Sequence, residues 1–364
     1  PKKTHGKKSH YLFTIRNFLR LIHPMNKQEK IKSFNPNEPA LNSNLFGLPF
    51  NEDECDIHVL PAAWEVTVSY GAGTTEGPTE VAIASAQVDL YDEGYPKGWE
   101  RGIWMLDIDQ EWLVKGEDLR LLATRYLQAY ELGEIGPKEL KIQKNINEQC
   151  GLFHFWIQKQ TAVILKKGKR AILLGGDHST SLGTIRAHKE HYGDFGVLQI
   201  DAHADLRPSY EGFEYSHASI MYNVLQEHLA TSLTIVGLRD YCHQEADLIA
   251  SDNRINAFTD RGMNKALFAG QTWTQVCRSV VNTLPDHVYL SVDIDGFDPS
   301  LCPSTGTPVP GGLSIAQFTY LLDAVIASGR KIIGGDLVEV VPGKGQWDAN
   351  VGARVLSAIS HRLA

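Results

Sequence analysis

"FGVLQIDAHADLRPSY", residues 195–210, decides how the chain is read. Its first six residues are short and apolar rather than alternating, the pattern of a strand buried on both faces of a parallel sheet. Directly after them Asp201, His203 and Asp205 stand at every second position. On an extended backbone such residues share one side, so the three would converge where the strand ends. Two carboxylates that close repel unless a cation sits between them. A solvated loop with alternating charges would look the same over this stretch alone, so the rest of the chain has to discriminate.

The same strand-then-polar grammar recurs. "DIHVL" (56–60) leads towards the glycine-containing loop "GAGTTEGPTE". "RAILL" (170–174) precedes "GGDHSTS", "SLTIVGL" (232–238) precedes "RDYCHQEAD", "HVYLSV" (287–292) precedes "DIDGFDPS", and "KIIGGDLVEV" (331–340) precedes "VPGKGQWDAN". Helix-like stretches separate them at 117–132, 152–167, 313–328 and 349–363, and "SLGTIRAHKEHY" follows "RAILLGGDHST" as a helix-like stretch. Short buried strands alternating with helices predict a single three-layer α/β/α domain with a central, mostly parallel sheet. Ligands of such sheets collect at the carboxyl ends of the strands, which is where the acidic motifs lie.

Composition narrows the function classes. The 364 residues are 43% hydrophobic and 21% charged, ordinary for a globular chain, and the net charge of −8 lacks the basic footprint of a nucleic-acid or anionic-membrane partner. Five scattered cysteines without paired spacing fit a reducing compartment, so a cytoplasmic location is expected. Residues 1–24 differ from the rest, with six Lys or Arg and no acid. Their middle, "YLFTIRNFLRLI", fits a basic amphipathic organelle-targeting or membrane-surface helix. "MNKQEKIKSFNPNEPAL" from Met25 reads as an ordinary amino terminus, so residues 1–24 are set aside as upstream sequence. Residues 25–55 are expected to form an extended arm, and 56–364 the domain.

Pooling the motifs gives two imidazoles and four carboxylates: His178, Asp201, His203, Asp205, Asp293 and Asp295. Four carboxylates in one empty pocket would be intolerable, and two divalent ions carry the balancing charge. Carboxylates with some imidazole suit Mn²⁺ best, with Fe²⁺, Co²⁺ and Ni²⁺ as the other fits. A thiolate zinc site is excluded, because no cysteine lies in these motifs. "DGFDPS" also reads as a turn, so capping duty competes for Asp293 and Asp295 and is the expectation for Asp298. For Asp177, capping and orientation of His178 are both open.

In that order, "GGDHS", "DAHAD" and "SVDIDGFDP" resemble the signatures of the arginase/agmatinase (ureohydrolase) family, from about Asp56 to the carboxyl terminus, and nearer its agmatinase branch. The resemblance implies an arginase-like fold and a binuclear hydrolase that converts a guanidino compound to urea and an amine. It implies that Asp201 and Asp293 bridge both ions, that His178 and Asp205 complete one site, and that His203 and Asp295 complete the other. It further implies His217 as proton shuttle, Glu339 as the carboxylate that binds the guanidinium, and a homo-oligomer, trimer or hexamer.

The deacetylase type of amide hydrolase, with one zinc and fewer ligands, is disfavoured by the presence of both histidines and all four acids. A non-catalytic binding protein on the same scaffold is disfavoured by His217 and Glu339. Agmatine is the expected substrate, with free guanidine and 4-guanidinobutyrate as alternatives. Arginine is not expected, since "LRPSYEGFEY" does not resemble the arginase pattern. Arg207 would pair with a carboxylate tail or, as favoured, serve a surface salt bridge. Trp64 and Trp347 would shorten the pocket to free guanidine if their indoles turn inward; the favoured expectation is that they pack outward into subunit contacts, which leaves room for a four-carbon tail whose terminal ammonium Asp348 would attract.

Overall fold

The computed structural model describes residues 25–40 and 44–364; the basic segment 1–24 lies outside them. Eight strands form one sheet in the order β2-β1-β3-β8-β7-β4-β5-β6. They are β1 (Ile57–Ala62), β2 (Ile103–Met105), β3 (Arg170–Gly175), β4 (Gly196–Ile200), β5 (Ser232–Val236), β6 (Ile255–Phe258), β7 (His287–Asp293) and β8 (Lys331–Val338). Every neighbouring pair is parallel. The strands of the middle are buried almost throughout, as their unbroken apolar runs require.

Helices cover both faces, as parallel connections demand. In chain order they are α1 (Lys27–Ser33), α2 (Gly77–Ser85), α3 (Gln110–Glu131), α4 (Pro137–Lys166), α5 (Ser181–Tyr192), α6 (Ile220–Gln226), α7 (His243–Ser251), α8 (Asp260–Phe268), α9 (Trp273–Val281), α10 (Ile315–Ala327) and α11 (Trp347–Arg362). None of the described helices is long and apolar enough to cross a membrane.

Two strands are absent from the sequence reading. β2 and β6 are the edge strands, three and four residues long, and only their first residue is fully buried. So short an element gives no periodicity to read. Two helices start earlier than expected. α3 begins at Gln110 because the Asp109 carboxylate accepts from the backbone N–H groups of Glu111 and Trp112. α4 begins at Pro137, a residue suited to a first turn. Its buried face runs Ile146, Cys150, Phe153, Ile157, Thr161 and Ile164, and the polar residues between them hide the period in the amino-terminal half.

Residues 92–112, which carry Tyr95, Trp99, Trp104 and Trp112, serve the sheet edge. They supply β2, and Trp99 packs on Phe34 and Phe50 with ring centroids 5.2 and 6.3 Å apart. The amino-terminal arm is not simply extended: α1 is held by Lys27 to Asp56 (2.9 Å) and Lys30 to Glu54 (2.6 Å).

Candidate metal centre

The central strands β3, β8, β7 and β4 are neighbours, and each releases a functional side chain just past its carboxyl end or at it. His178 follows β3, Asp201 follows β4, Asp293 ends β7 and Glu339 follows β8. This is the crevice where α/β sheets bind ligands.

The opening motif reaches its convergence by a different route from the extended strand expected. The chain leaves β4 at Ile200. His203 forms an isolated bridge with Asp240, and Asp205 takes a left-handed conformation, φ 55°. Aspartate tolerates that region better than most residues. Asp205 is locked there because its carbonyl accepts from the N–H groups of Met221 and Tyr222, at 3.1 and 3.0 Å. Close approach is also built in at Gly296. A Cβ there would lie 2.6 Å from the backbone nitrogen of Asp201, so only glycine lets the turn after β7 press against the end of β4.

Around His178 Nδ1 stand Asp205 Oδ2 at 2.8 Å, Asp201 Oδ2 at 3.2 Å and Asp293 Oδ2 at 3.5 Å. Around His203 Nδ1 stand Asp295 Oδ2 at 3.0 Å and Asp201 Oδ1 at 3.6 Å. The donor atoms of His178, Asp201 and Asp293 form one tight group, and those of Asp201, His203 and Asp295 a second. Asp201 belongs to both and offers a different oxygen to each.

The surrounding hydrogen bonds hold these groups in place. Ser291 Oγ donates to Asp336 Oδ1 (2.9 Å) and therefore receives the Nε2–H of His178 (2.9 Å), which leaves Nδ1 directed at the carboxylates. Asp201 accepts from Gln199 Nε2 (2.8 Å) and from the His203 N–H (2.6 Å). Asp293 Oδ1 caps the following turn through the Asp295 N–H, while its Oδ2 faces His178. Asp177 is a cap, accepting from Ser179 N–H at 2.9 Å, and Asp298 likewise accepts from Ser300 N–H.

Electrostatics test whether cations fit. Burial disfavours a charged His178, yet the carboxylates of Asp201, Asp205 and Asp293 hold its pKa well above the usual imidazole range. His203, opposed by burial in the same way, is pushed up to about 12 by Asp295 and Asp201. Burial and then Asp201 raise Asp205 to about 7. Burial, Asp295 and Asp201 put Asp293 well above the carboxylate range. Asp201 is the exception: despite burial, the two imidazoles beside it hold it low. The cluster thus calls for positive charge among its carboxylates. His178 Nδ1 is buried and still makes no well-formed hydrogen bond to the three acids around it. A donor set of buried carboxylate oxygens and two imidazole nitrogens, aimed at shared points, fits divalent cations.

The centre opens into a cavity of about 190 Å³ whose walls include His203, Asp205, His217 and Glu339. Glu339 is buried in left-handed conformation, φ 61°, and its Oε1 accepts from the His178 N–H at 2.9 Å. Burial, then the nearby Asp177, raises its pKa well above the carboxylate range. His217 presents its ring edge-on to Tyr210, and burial lowers its pKa to about 4. Its imidazole is neutral near pH 7, with Nδ1 free of any protein partner.

Arg207 also lines the cavity, with its guanidinium 5.1 Å from the centre of the Tyr210 ring and Nε 3.9 Å from Glu245. Trp64, Trp347 and Asp348 all lie away from the cavity walls. Trp64, 1% exposed, stacks on Phe153 at 4.0 Å and meets Trp112 edge-on, so it is core and not wall. Trp347, 51% exposed, donates its indole N–H to the Ser300 carbonyl outside the cavity. Asp348 is buried and accepts from the Ser304 N–H at 2.8 Å, which ties down a loop and leaves it no ammonium to attract.

Residues absent from the sequence reading complete the walls: Ser69, Tyr70, Asp240, Tyr241 and Thr307. Asp240 Oδ2 lies 3.9 Å from His203 Nε2. "RD" directly after the strand pattern "SLTIVGL" is its only signal. The tyrosines sit in loops without periodicity.

The profile of the Arginase family matches residues 55–361. An N(1)-aminopropylagmatine ureohydrolase of Thermus thermophilus is 36% identical over 249 residues, 66% of this chain and 80% of that protein. An agmatinase of Proteus mirabilis is 28% identical over 331 residues, 86% of this chain and 91% of the relative. Among solved structures, the agmatine ureohydrolase of Thermoplasma volcanium superposes with a TM-score of 0.65 at 22% identity, over 95% of this chain and 97% of the other. At that identity the last likeness speaks for the fold alone.

Proposed function

The chain belongs to the arginase family and is a hydrolase of C–N bonds in linear amidines; from that premise we propose that it cleaves agmatine to putrescine and urea at a centre of two divalent ions. The observation that carries this reading is the convergence of His178, Asp201, Asp205, Asp293, His203 and Asp295 into two groups that share Asp201. Asp201 and Asp293 would bridge the ions. His178 and Asp205 would complete one position, and His203 and Asp295 the other, with manganese favoured by the oxygen-rich donors. Bound ions of this kind polarise a substrate and make water a nucleophile near neutral pH.

The chain's own residues do the rest. Glu339, which the positive charge of a bound guanidinium would hold as a carboxylate against the effect of burial, would accept N–H donors from that planar group and orient it. Water adds its oxygen to the guanidinium carbon, and the C–N bond to the alkyl amine breaks. His217 carries a proton from the attacking water to the departing nitrogen. A neutral imidazole is the state able to take a proton first and deliver it second.

Agmatine is supported over free guanidine because both indoles that would have shortened the cavity point elsewhere. Tyr70 and Tyr241 leave exposed aromatic surface on the walls, and aromatic faces attract a tail ammonium. Comparing kcat/KM for agmatine, N(1)-aminopropylagmatine, 4-guanidinobutyrate and guanidine tests the assignment. The expected order places agmatine first and guanidine at least about tenfold lower, the discrimination expected from a few lost methylene contacts. Activity confined to guanidine would overturn it. A clear preference for aminopropylagmatine would move the reading to a longer cationic tail.

A further inference from the structure

Two of the segments that line the cavity, 66–73 and 207–218, lie outside the sheet. Backbone groups outside a ladder still need partners. Both loops find them on the same pair of helices. From α3, Arg120 donates through Nη1 to the carbonyls of Val66 and Val68. From α4, Gln143 Nε2 donates to the Gly212 carbonyl at 2.6 Å, and Asn147 Nδ2 donates to the same carbonyl at 3.3 Å. Asn147 Oδ1 in turn accepts from the Glu214 N–H at 3.1 Å.

Asn147 therefore grips the loop at two residues, two positions apart, as a neighbouring strand would. The approach is close. Gly212 is left-handed, φ 85°, and a Cβ there would collide with Gln143 Nε2 and with the Tyr126 hydroxyl of α3. Phe213, fully buried, packs on Tyr126 at 5.1 Å, and Tyr215 meets His154 of α4 edge-on at 5.0 Å. The Tyr215 carbonyl accepts from Thr67 of the opposite loop at 3.3 Å, which joins the two walls. His217 comes two residues later.

We infer that Asn147 and Gln143 are positioning residues for His217: they hold the 212–215 stretch so that the imidazole stands at the cavity wall in reach of the departing amine. The inference rests on the proposed proton-transfer role of His217. Neither residue touches the cavity; each acts through the loop. Displacement of a proton-transfer group by a fraction of an ångström to an ångström is enough to cost turnover.

A double-mutant cycle with agmatine as substrate tests it. Asn147→Ala and Gln143→Ala are measured alone and together with His217→Ala. Each single change is expected to lower kcat about tenfold, with KM moved less than about twofold, and to add nothing once His217 is gone, because groups that act as a unit are not additive. Amide hydrogen exchange is expected to quicken over 210–216 and stay unchanged in the sheet. Asn147→Asp keeps the acceptor for Glu214 N–H and is expected to fall between wild type and Asn147→Ala. If Asn147→Ala fails to fold, Gln143→Ala carries the test. An unchanged kcat in both variants overturns the inference. So does a loss of equal size with and without His217, which would mark a general structural role. A normal kcat in His217→Ala alone would overturn the premise as well, and is distinguishable because it appears before either helix residue is touched.

Discussion

Asp201→Asn is expected to abolish urea release and to leave the purified chain with less than about one ion. The substitution is nearly isosteric, but Gln199 Nε2 and the His203 N–H donate to different oxygens, at 2.8 and 2.6 Å, so only one of the two bonds keeps its acceptor. What disappears is charge and a second oxygen. Asp201 offers Oδ2 towards the His178 group and Oδ1 towards the His203 group, and an amide has a single carbonyl oxygen. The remaining three carboxylates no longer balance two divalent ions, and an affinity built on deprotonated ligands falls with each one lost. Elemental analysis and thermal shift read the result together. Mn²⁺ is expected to raise the Tm of the wild type, as any ligand selective for the folded state does, and to leave the variant unmoved. Full metal content with near-normal turnover would remove Asp201 from the centre.

His217→Ala is expected to keep both ions and to lower kcat by roughly 10²–10⁴-fold, the usual worth of a positioned proton-transfer group. Its neutral ring, lowered to about 4 by burial, lines the cavity with Nδ1 unpartnered. It belongs to neither of the two groups that would hold the ions. Substrate binding would therefore rest on Glu339 and the walls and change little. A kcat equal to wild type would mean that solvent or another group carries the proton. Loss of metal instead would make His217 a ligand.

The strands that carry the centre were legible because β3, β4, β7 and β8 are buried on both faces and so read as apolar runs, each ended by its polar motif. Convergence of Asp201, His203 and Asp205 was legible as a pattern, though the backbone achieves it by a bend and a left-handed Asp205, and no periodicity encodes that. The two tryptophans show where local reading stops. Trp64 follows β1 as a wall residue would, but its direction is set by Trp112 on α3 and Phe153 on α4, some 50 and 90 residues away in sequence. Trp347 is placed by a single hydrogen bond to a distant carbonyl. Gln143 and Asn147 look like any solvated helix face until the partner loop is present.

Counting metal ions per chain tests the central claim most directly. The wild-type chain is loaded with Mn²⁺, freed of weakly held ions by gel filtration, and measured by elemental mass spectrometry against protein concentration. Two ions per chain are predicted, one for each group that shares Asp201, with urea release lost when a chelator removes them. One ion, or none with activity intact, would contradict the account.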